Sequence, residues 1–128
     1  MNFAQQLGLT AEEAGSIAQV GVDLLGAEDF EGALAVFEGL TTLNPDDPSM
    51  WAALGFVHRT AGNFAKAEES FQECLRKDPT HSAAQAWLGE LQIRKGQPSG
   101  RELVRKALAD PSFAQSDAGM QAKALLNQ

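Results

Sequence analysis

A chain of 128 residues can bury one hydrophobic core and has no need of two. A hydrophobic share of 44% with 21% charged residues belongs to a folded chain rather than a disordered one, and abundant Ala and Leu without any Tyr favour helix over sheet. The net charge of −7 argues against a nucleic-acid partner, because affinity for a phosphate backbone is built from Lys and Arg.

The first residues, Met1 to Gln6, carry no basic cluster, and no apolar run reaches the length of a membrane span. A cytoplasmic protein that does not insert into membranes is expected. Cys74 is alone and forms no internal disulfide, in keeping with a reducing compartment.

Thr10 and Glu13 stand at capping-box spacing before a first helix that runs to about Gly26, and its return helix covers about Glu31 to Leu43. Asp47 then caps a third helix with Pro48 in its first turn, where the missing N–H is harmless. Apolar Trp51, Leu54, Phe56 and Val57 lead to Gly62, a left-handed stop, and Asn63 is placed to cap the next helix. That helix carries Phe64, Ala67, Phe71, Cys74 and Leu75 at spacings of three and four, and Asp78-Pro79 ends it. Trp87, Leu88 and Gly89 mark a fifth helix that stops at Gly96. Its return helix puts Gly100, Val104 and Ala107 where Ala67, Phe71 and Cys74 sit, one residue early. Beyond Pro111, Ser116 is placed to cap a final helix through Met120, Ala124 and Leu125, read as a solvent-facing end cap.

These segments repeat. Gly21, Phe30, Ala33, Phe37 and Pro45 recur 34 residues later as Gly55, Phe64, Ala67, Phe71 and Pro79. The pattern resembles the tetratricopeptide repeat over residues 14–111, whose signature places Trp, Leu, Gly and Tyr on a first helix and Ala, Phe and a closing Pro on a second. The second unit matches best, through Trp51, Leu54, Gly55, Ala67, Phe71 and Pro79, with His58 for the Tyr and Cys74 for an Ala. The first unit has Ile17, Val20 and Leu24 for Trp, Leu and Tyr, and the third has Gln85 at the Trp position. The resemblance implies an all-α fold: a right-handed solenoid of three helical hairpins (about residues 14–47, 48–81 and 82–111) plus a C-terminal capping helix (about 116–127), in one domain over 1–128.

Gly21, Gly55 and Gly89 lie inside helices, where glycine costs about 1 kcal/mol against alanine. Close approach of the two helices of a hairpin is the compensating reason, so they are read as packing devices. His58 and His81 are too few and too far apart for a metal site, and Cys74 is read as a small core residue. No nucleophile elbow, phosphate loop or paired-carboxylate motif occurs, so no catalytic, cofactor-binding or metal-binding residue is expected.

In this family the first helices of the hairpins line the concave side. Carried over, that face pattern implies a groove of Ala18, Val22 and Leu25 from the first unit, Ala52, Phe56 and Arg59 from the second, and Ala86, Glu90 and Ile93 from the third. An extended peptide or helix of a protein partner, offering apolar anchors, suits such a surface. Some members grip a C-terminal carboxylate with Lys and Asn where this chain has Ala18 and Val22, which disfavours that clamp. A narrower resemblance, through Phe30-Glu31-Gly32-Ala33 to Phe37, Leu40, Leu43 and Asp47 and then Leu54-Gly55, is to the acidic chaperones of type III secretion translocators. It implies a hydrophobic export substrate in the groove and pairing of two copies. A scaffold or self-assembly module is the alternative.

The charges are unevenly distributed. Residues 1–58 hold nine acids (Glu12, Glu13, Asp23, Glu28, Asp29, Glu31, Glu38, Asp46, Asp47) and no Lys or Arg, whereas from Arg59 onward ten basic residues face eight acids. A partner with a basic segment is expected to meet the acidic end, with head-to-tail contact to the stretch from Arg94 to Lys106 of a second copy as the rival.

Overall fold

The protein, a computed structural model, is described over residues 11–127, so the expected cap at Thr10 lies outside the described residues. Over that range the chain forms α1 (Ala11–Gly26), α2 (Phe30–Leu43), α3 (Pro48–Thr60), α4 (Phe64–Lys77), α5 (Ser82–Arg94), α6 (Ser99–Leu108), a single turn α7 (Pro111–Ala114) and α8 (Asp117–Leu126). Helices α1/α2, α3/α4 and α5/α6 pack as hairpins. Each following hairpin sets its first helix against the preceding second one, α3 on α2 and α5 on α4.

Local chemistry sets most helix starts. The Asp29 carboxylate accepts from the Gly32 N–H at 2.9 Å and Asp47 from the Ser49 N–H at 2.9 Å, satisfying donors that a helix start leaves orphaned. His81 does the same for α5, its Nδ1 accepting from the Ala84 N–H at 3.2 Å, and Ser116 Oγ accepts from the Gly119 N–H at 3.0 Å. Asn63 departs from the sequence expectation. It occupies the position before α4 but makes no side-chain cap; its Nδ2 instead lies 3.4 Å from His58 Nδ1. His58 is buried, and a buried ring nitrogen needs a partner more than a half-exposed helix start does.

The turns between hairpin helices use one backbone conformation. Gly62 has φ +86° and Gly96 φ +76°, the left-handed region open to glycine. Glu28, 34 residues before Gly62, has φ +62° in the same place, a strained position for a residue with a Cβ.

The hairpins close on glycine. A methyl group added at Gly55 would lie 2.5 Å from Phe71 Cε1, and one at Gly21 2.7 Å from Phe37 Cε2. Both rings are essentially fully buried. In the third hairpin the aromatic is absent, and a methyl at Gly89 would meet the Gly100 carbonyl at 2.7 Å and Val104 Cγ2 at 2.8 Å, while one at Gly100 would meet the Gly89 carbonyl at 2.5 Å. Two glycines face each other there and bring backbone to backbone. Three cores result, around Phe37, around Phe71 with Cys74 and Leu88, and around Val104, Ala107 and Ala122.

A hydrogen bond repeats with the sequence period. Trp51 Nε1 donates to the Pro45 carbonyl at 2.7 Å, and Gln85, at the equivalent position, donates from Nε2 to the Pro79 carbonyl at 2.9 Å. The substitution that made the third unit look irregular therefore keeps the polar contact that fixes the hairpin entry.

The last helix differs from expectation. α8 buries Ala122 against Ala86 of α5 and Ala107 of α6 and sets Gly119 against Phe113 and Ala114 of α7, while Met120 is 61% exposed and Ala124 is exposed. The inward line is thus Gly119, Ala122 and Leu125/Leu126 rather than Met120 and Ala124, because small residues let α8 lie close on Ala86 and Ala107.

Two stability changes follow. Gly55→Leu forces a side chain into the Phe71 ring and lowers stability by about 1–3 kcal/mol or more, seen as an earlier urea midpoint. Glu28→Gly relieves the left-handed strain and, after the greater freedom of the unfolded chain is subtracted, raises stability by about 0.5–1 kcal/mol, seen as a later midpoint.

Candidate peptide groove

The first helices of successive hairpins lie in a row, α3 against α5 and α5 against α8. Of the residues expected to line the groove, Ala52, Phe56, Arg59, Ala86, Glu90 and Ile93 are on α3 and α5 of this row and Ala18, Val22 and Leu25 are on α1, and their burial separates them into four sets. Ala18 and Leu25 on α1 are half-buried against the first core, and Val22 between them is 51% exposed. Ala52 and Ala86 are buried, at 4% and 3% exposure, so they act as close-packed floor with no contact area of their own. Ile93 is half-buried and packs into the third core, where a methyl at Gly100 would lie 2.9 Å from its Cγ1. Its position therefore serves the α5/α6 contact.

Phe56, Arg59 and Glu90 come together at the middle of the row. Arg59 Nη2 donates to both carboxylate oxygens of Glu90 at 2.8 Å, joining α3 to α5 across 31 residues of sequence. Arg94 Nη2 approaches the same carboxylate at 3.1 Å. The Arg59 guanidinium also lies 5.8 Å from the centre of the Phe56 ring. Glu90 is buried to 9% exposure, and two arginines satisfy a charge that would otherwise be costly there.

Trp87, outside the expected groove set, completes the arrangement. Its ring centre is 4.8 Å from that of Phe56 and 5.7 Å from that of Phe71, making an aromatic shelf that joins the groove to the core. Its neighbours Leu88 and Gly89 drew the sequence reading to hairpin packing. α8 also contributes: Ala118, Gln121, Ala122 and Leu125 face Arg59, Ala86, Trp87 and Glu90 across a pocket of about 170 Å³. A signal for this exists in the sequence, since Ala122 falls 33 residues after Gly89, one short of the 34-residue interval as Val104 is relative to Phe71, which marks α8 as a fourth first-helix.

The remaining reactive side chains sit in the packing. Burial pushes the Cys74 thiol up to about 12, with the nearby Asp78 charge adding to it, so at neutral pH it is a protonated core residue. Burial lowers the His58 pKa below 6.5, opposed by the Glu38 carboxylate from α2 and helped by Lys66 of α4, with Glu69 acting like Glu38. Among the described residues no group of three or more His, Cys, Asp or Glu is placed to hold a metal ion, and no helix is long and apolar enough to cross a membrane.

Helical hairpins stacked at a fixed interval, with their first helices forming one continuous face, define a helical-repeat protein of the solenoid class. The chain belongs to the tetratricopeptide repeat family, whose family model matches residues 21–81 and 54–112. It is similar to tetratricopeptide repeat protein 34 of Homo sapiens, 31% identical over 83 residues, which are 65% of this chain and 15% of that relative. In three dimensions it is similar to the type III secretion translocator chaperone SycD of Yersinia enterocolitica, with a TM-score of 0.86 at 17% identity over 99% of this chain and 97% of that one. It is likewise similar to PcrH in complex with the chaperone binding region of PopB, with a TM-score of 0.78 at 19% identity over 92% and 98% of the two chains. At these identities the structural likenesses establish the fold.

His58 gives a pH-dependent stability. Its folded pKa is lowered, so below about 6.5 the unfolded chain binds more protons and stability is lost as pH falls. The urea midpoint of the wild type should drop between pH 7.5 and 5.5 by more than that of His58→Gln, with His81 present in both proteins as the internal control.

Proposed function

We propose that this chain is a non-catalytic protein-binding module that holds a peptide or helix segment of a partner along the row α1, α3, α5. The observation that carries the reading is the half-open shelf of Phe56 and Trp87 with Val22 beyond it at 51% exposure. Apolar side chains so placed on a helix row offer anchoring contacts to an extended or helical segment. The complex of PcrH with the chaperone binding region of PopB has the same fold, which supports a polypeptide as occupant.

Within that reading, a chaperone of a secreted hydrophobic protein is favoured over a scaffold, because the likeness to SycD runs over almost the whole of both chains. The partner carries a basic segment that meets the first hairpin. Glu12, Glu13, Asp23, Glu28, Asp29, Glu31 and Glu38 are all exposed there and no Lys or Arg lies on either helix. Attraction to that end is screened over about 8–10 Å at physiological salt.

The test uses a displayed library of random peptides selected on the purified protein. Peptides with two or more apolar residues and net positive charge should be enriched. Val22→Gln and Phe56→Ser should each weaken the selected peptides about tenfold or more while circular dichroism stays helical. Asp23→Asn with Glu28→Gln and Glu31→Gln should flatten the salt dependence; Asp29 is left in place because it caps α2. Enrichment of no peptide sensitive to the Val22 and Phe56 changes, together with concentration-dependent mass in sedimentation, would favour self-assembly instead.

A further inference from the structure

The pocket bounded by α3, α5 and α8 has a chemistry unlike the rest of the groove. Its charged lining is Arg59 and Glu90, with Arg94 on the far side of the same carboxylate, so the cluster carries one net positive charge. The chain beyond residue 58 is also slightly positive, whereas the first hairpin is wholly acidic. The Arg59 side chain is 25% exposed and spends a single nitrogen, Nη2, on both Glu90 oxygens. Its Nε is shielded from solvent and has no acceptor among the described residues. A shielded donor without an acceptor is costly in a folded protein, and it leaves the guanidinium under-satisfied, so an acceptor arriving at its open part gains more than at a fully paired arginine.

We propose that this pocket takes an aspartate or glutamate side chain of the bound peptide, whose carboxylate closes on the part of the Arg59 guanidinium left open to the pocket. The inference rests on the groove reading above and adds its polar specificity. A carboxylate brings the cluster of Arg59, Arg94 and Glu90 to neutrality, which a neutral carbonyl does not, while a phosphate with nearly two charges would overshoot beside Glu90. The volume of about 170 Å³ admits one side chain of this size between Trp87 and the small residues Ala118 and Ala122 of α8. The site is distinct from a clamp built on the first helix, where Ala18 and Val22 offer no charge or donor. Its consequence is a direction for the partner: basic residues at the α1 end of the groove, an acidic residue at the α8 end.

The same displayed library decides it. Peptides selected on the wild type should carry an Asp or Glu at one fixed distance from their apolar residues. Selection on Arg59→Met should keep the apolar residues and lose the acid, and a chosen acidic peptide should bind that variant about tenfold more weakly, the worth of one charged hydrogen bond. Ala118→Phe, which fills the pocket from α8 and leaves Arg59 in place, should lose the acid in the same way. Glu90→Gln removes the internal competitor while keeping a polar side chain of the same shape, so the acidic peptide should bind it several-fold more tightly; this reading does not depend on how well Arg59→Met folds. Apolar-only peptides selected equally by wild type and Arg59→Met would overturn the acidic anchor and leave the groove reading standing. An acidic peptide indifferent to Ala118→Phe and to Glu90→Gln would overturn it also. Peptides insensitive to Val22→Gln and Phe56→Ser would overturn the groove reading, and this inference with it.

Discussion

The contact between a glycine of each first helix and a bulky residue of its return helix sets the geometry of the molecule. At Gly21 and Gly55 the missing Cβ is the space into which Phe37 and Phe71 press, and both rings are buried as a result. That approach lets the two helices of a hairpin lie close, and hairpins built the same way stack one on the next. The third hairpin reaches a comparable approach by another route. With Val104 in place of the phenylalanine, the helices close until the carbonyls of Gly89 and Gly100 lie where a Cβ would be. The smaller side chain is compensated by a nearer backbone, so the row of first helices continues to α8 without a break.

Much of this was legible because each device has a residue signature. Asp47-Pro48 is a local helix-start signal, while Gly62 with Gly96 and the glycine–phenylalanine spacing repeat at 34, so the period exposes them. What escaped the reading depended on competition between local and tertiary demands. Asn63 has the right chemistry and position for a cap, yet buried His58 draws its amide. Met120 and Ala124 look like an apolar line, yet α8 turns its smallest residues inward because α5 and α6 present alanines. Gln85 looks like a defect in the Trp position and proves to be a replacement that preserves a bond to the carbonyl six residues back. Glu28 occupies a conformation that glycine fills in the other two hairpins, and no pattern of hydrophobicity reveals a backbone angle.

The groove was legible as a face and illegible as a surface. The face pattern of the resembled family put Ala52, Phe56 and Arg59 on one side of α3, and Ala86 and Glu90 on one side of α5. Which of them remain open depends on the neighbouring helix. Ala52 and Ala86 vanish beneath the next first-helix, and Ile93 is drawn into the contact with Gly100. Arg59 and Glu90 are separated by 31 residues, so their pairing is a product of the stack. Trp87 was read as marking the fifth helix and left out of the groove set; it stands two residues after the signature Trp position, and its ring packs against Phe56.

The charge distribution is the one property that the fold does not require. A solenoid of this kind needs its glycines, its caps and its buried rings, and none of these demands that Lys and Arg be absent from the first hairpin. Where cations are present they are used structurally: Lys77 reaches Asp46 at 3.4 Å and Lys95 reaches Glu68 at 2.8 Å, each linking neighbouring hairpins. The first hairpin carries no Lys or Arg on either helix, so its exposed carboxylates repel one another, a cost that falls on its own stability. It also holds Glu28 in a strained backbone angle. Val22 and Val20 on its first helix are half exposed. An element with unfavourable self-energy of one sign gains most from a ligand of the other sign. If the proposed groove is occupied as proposed, the hairpin that binding would stabilise most lies at the end opposite Arg59 and α8, and a bound chain would have one preferred direction.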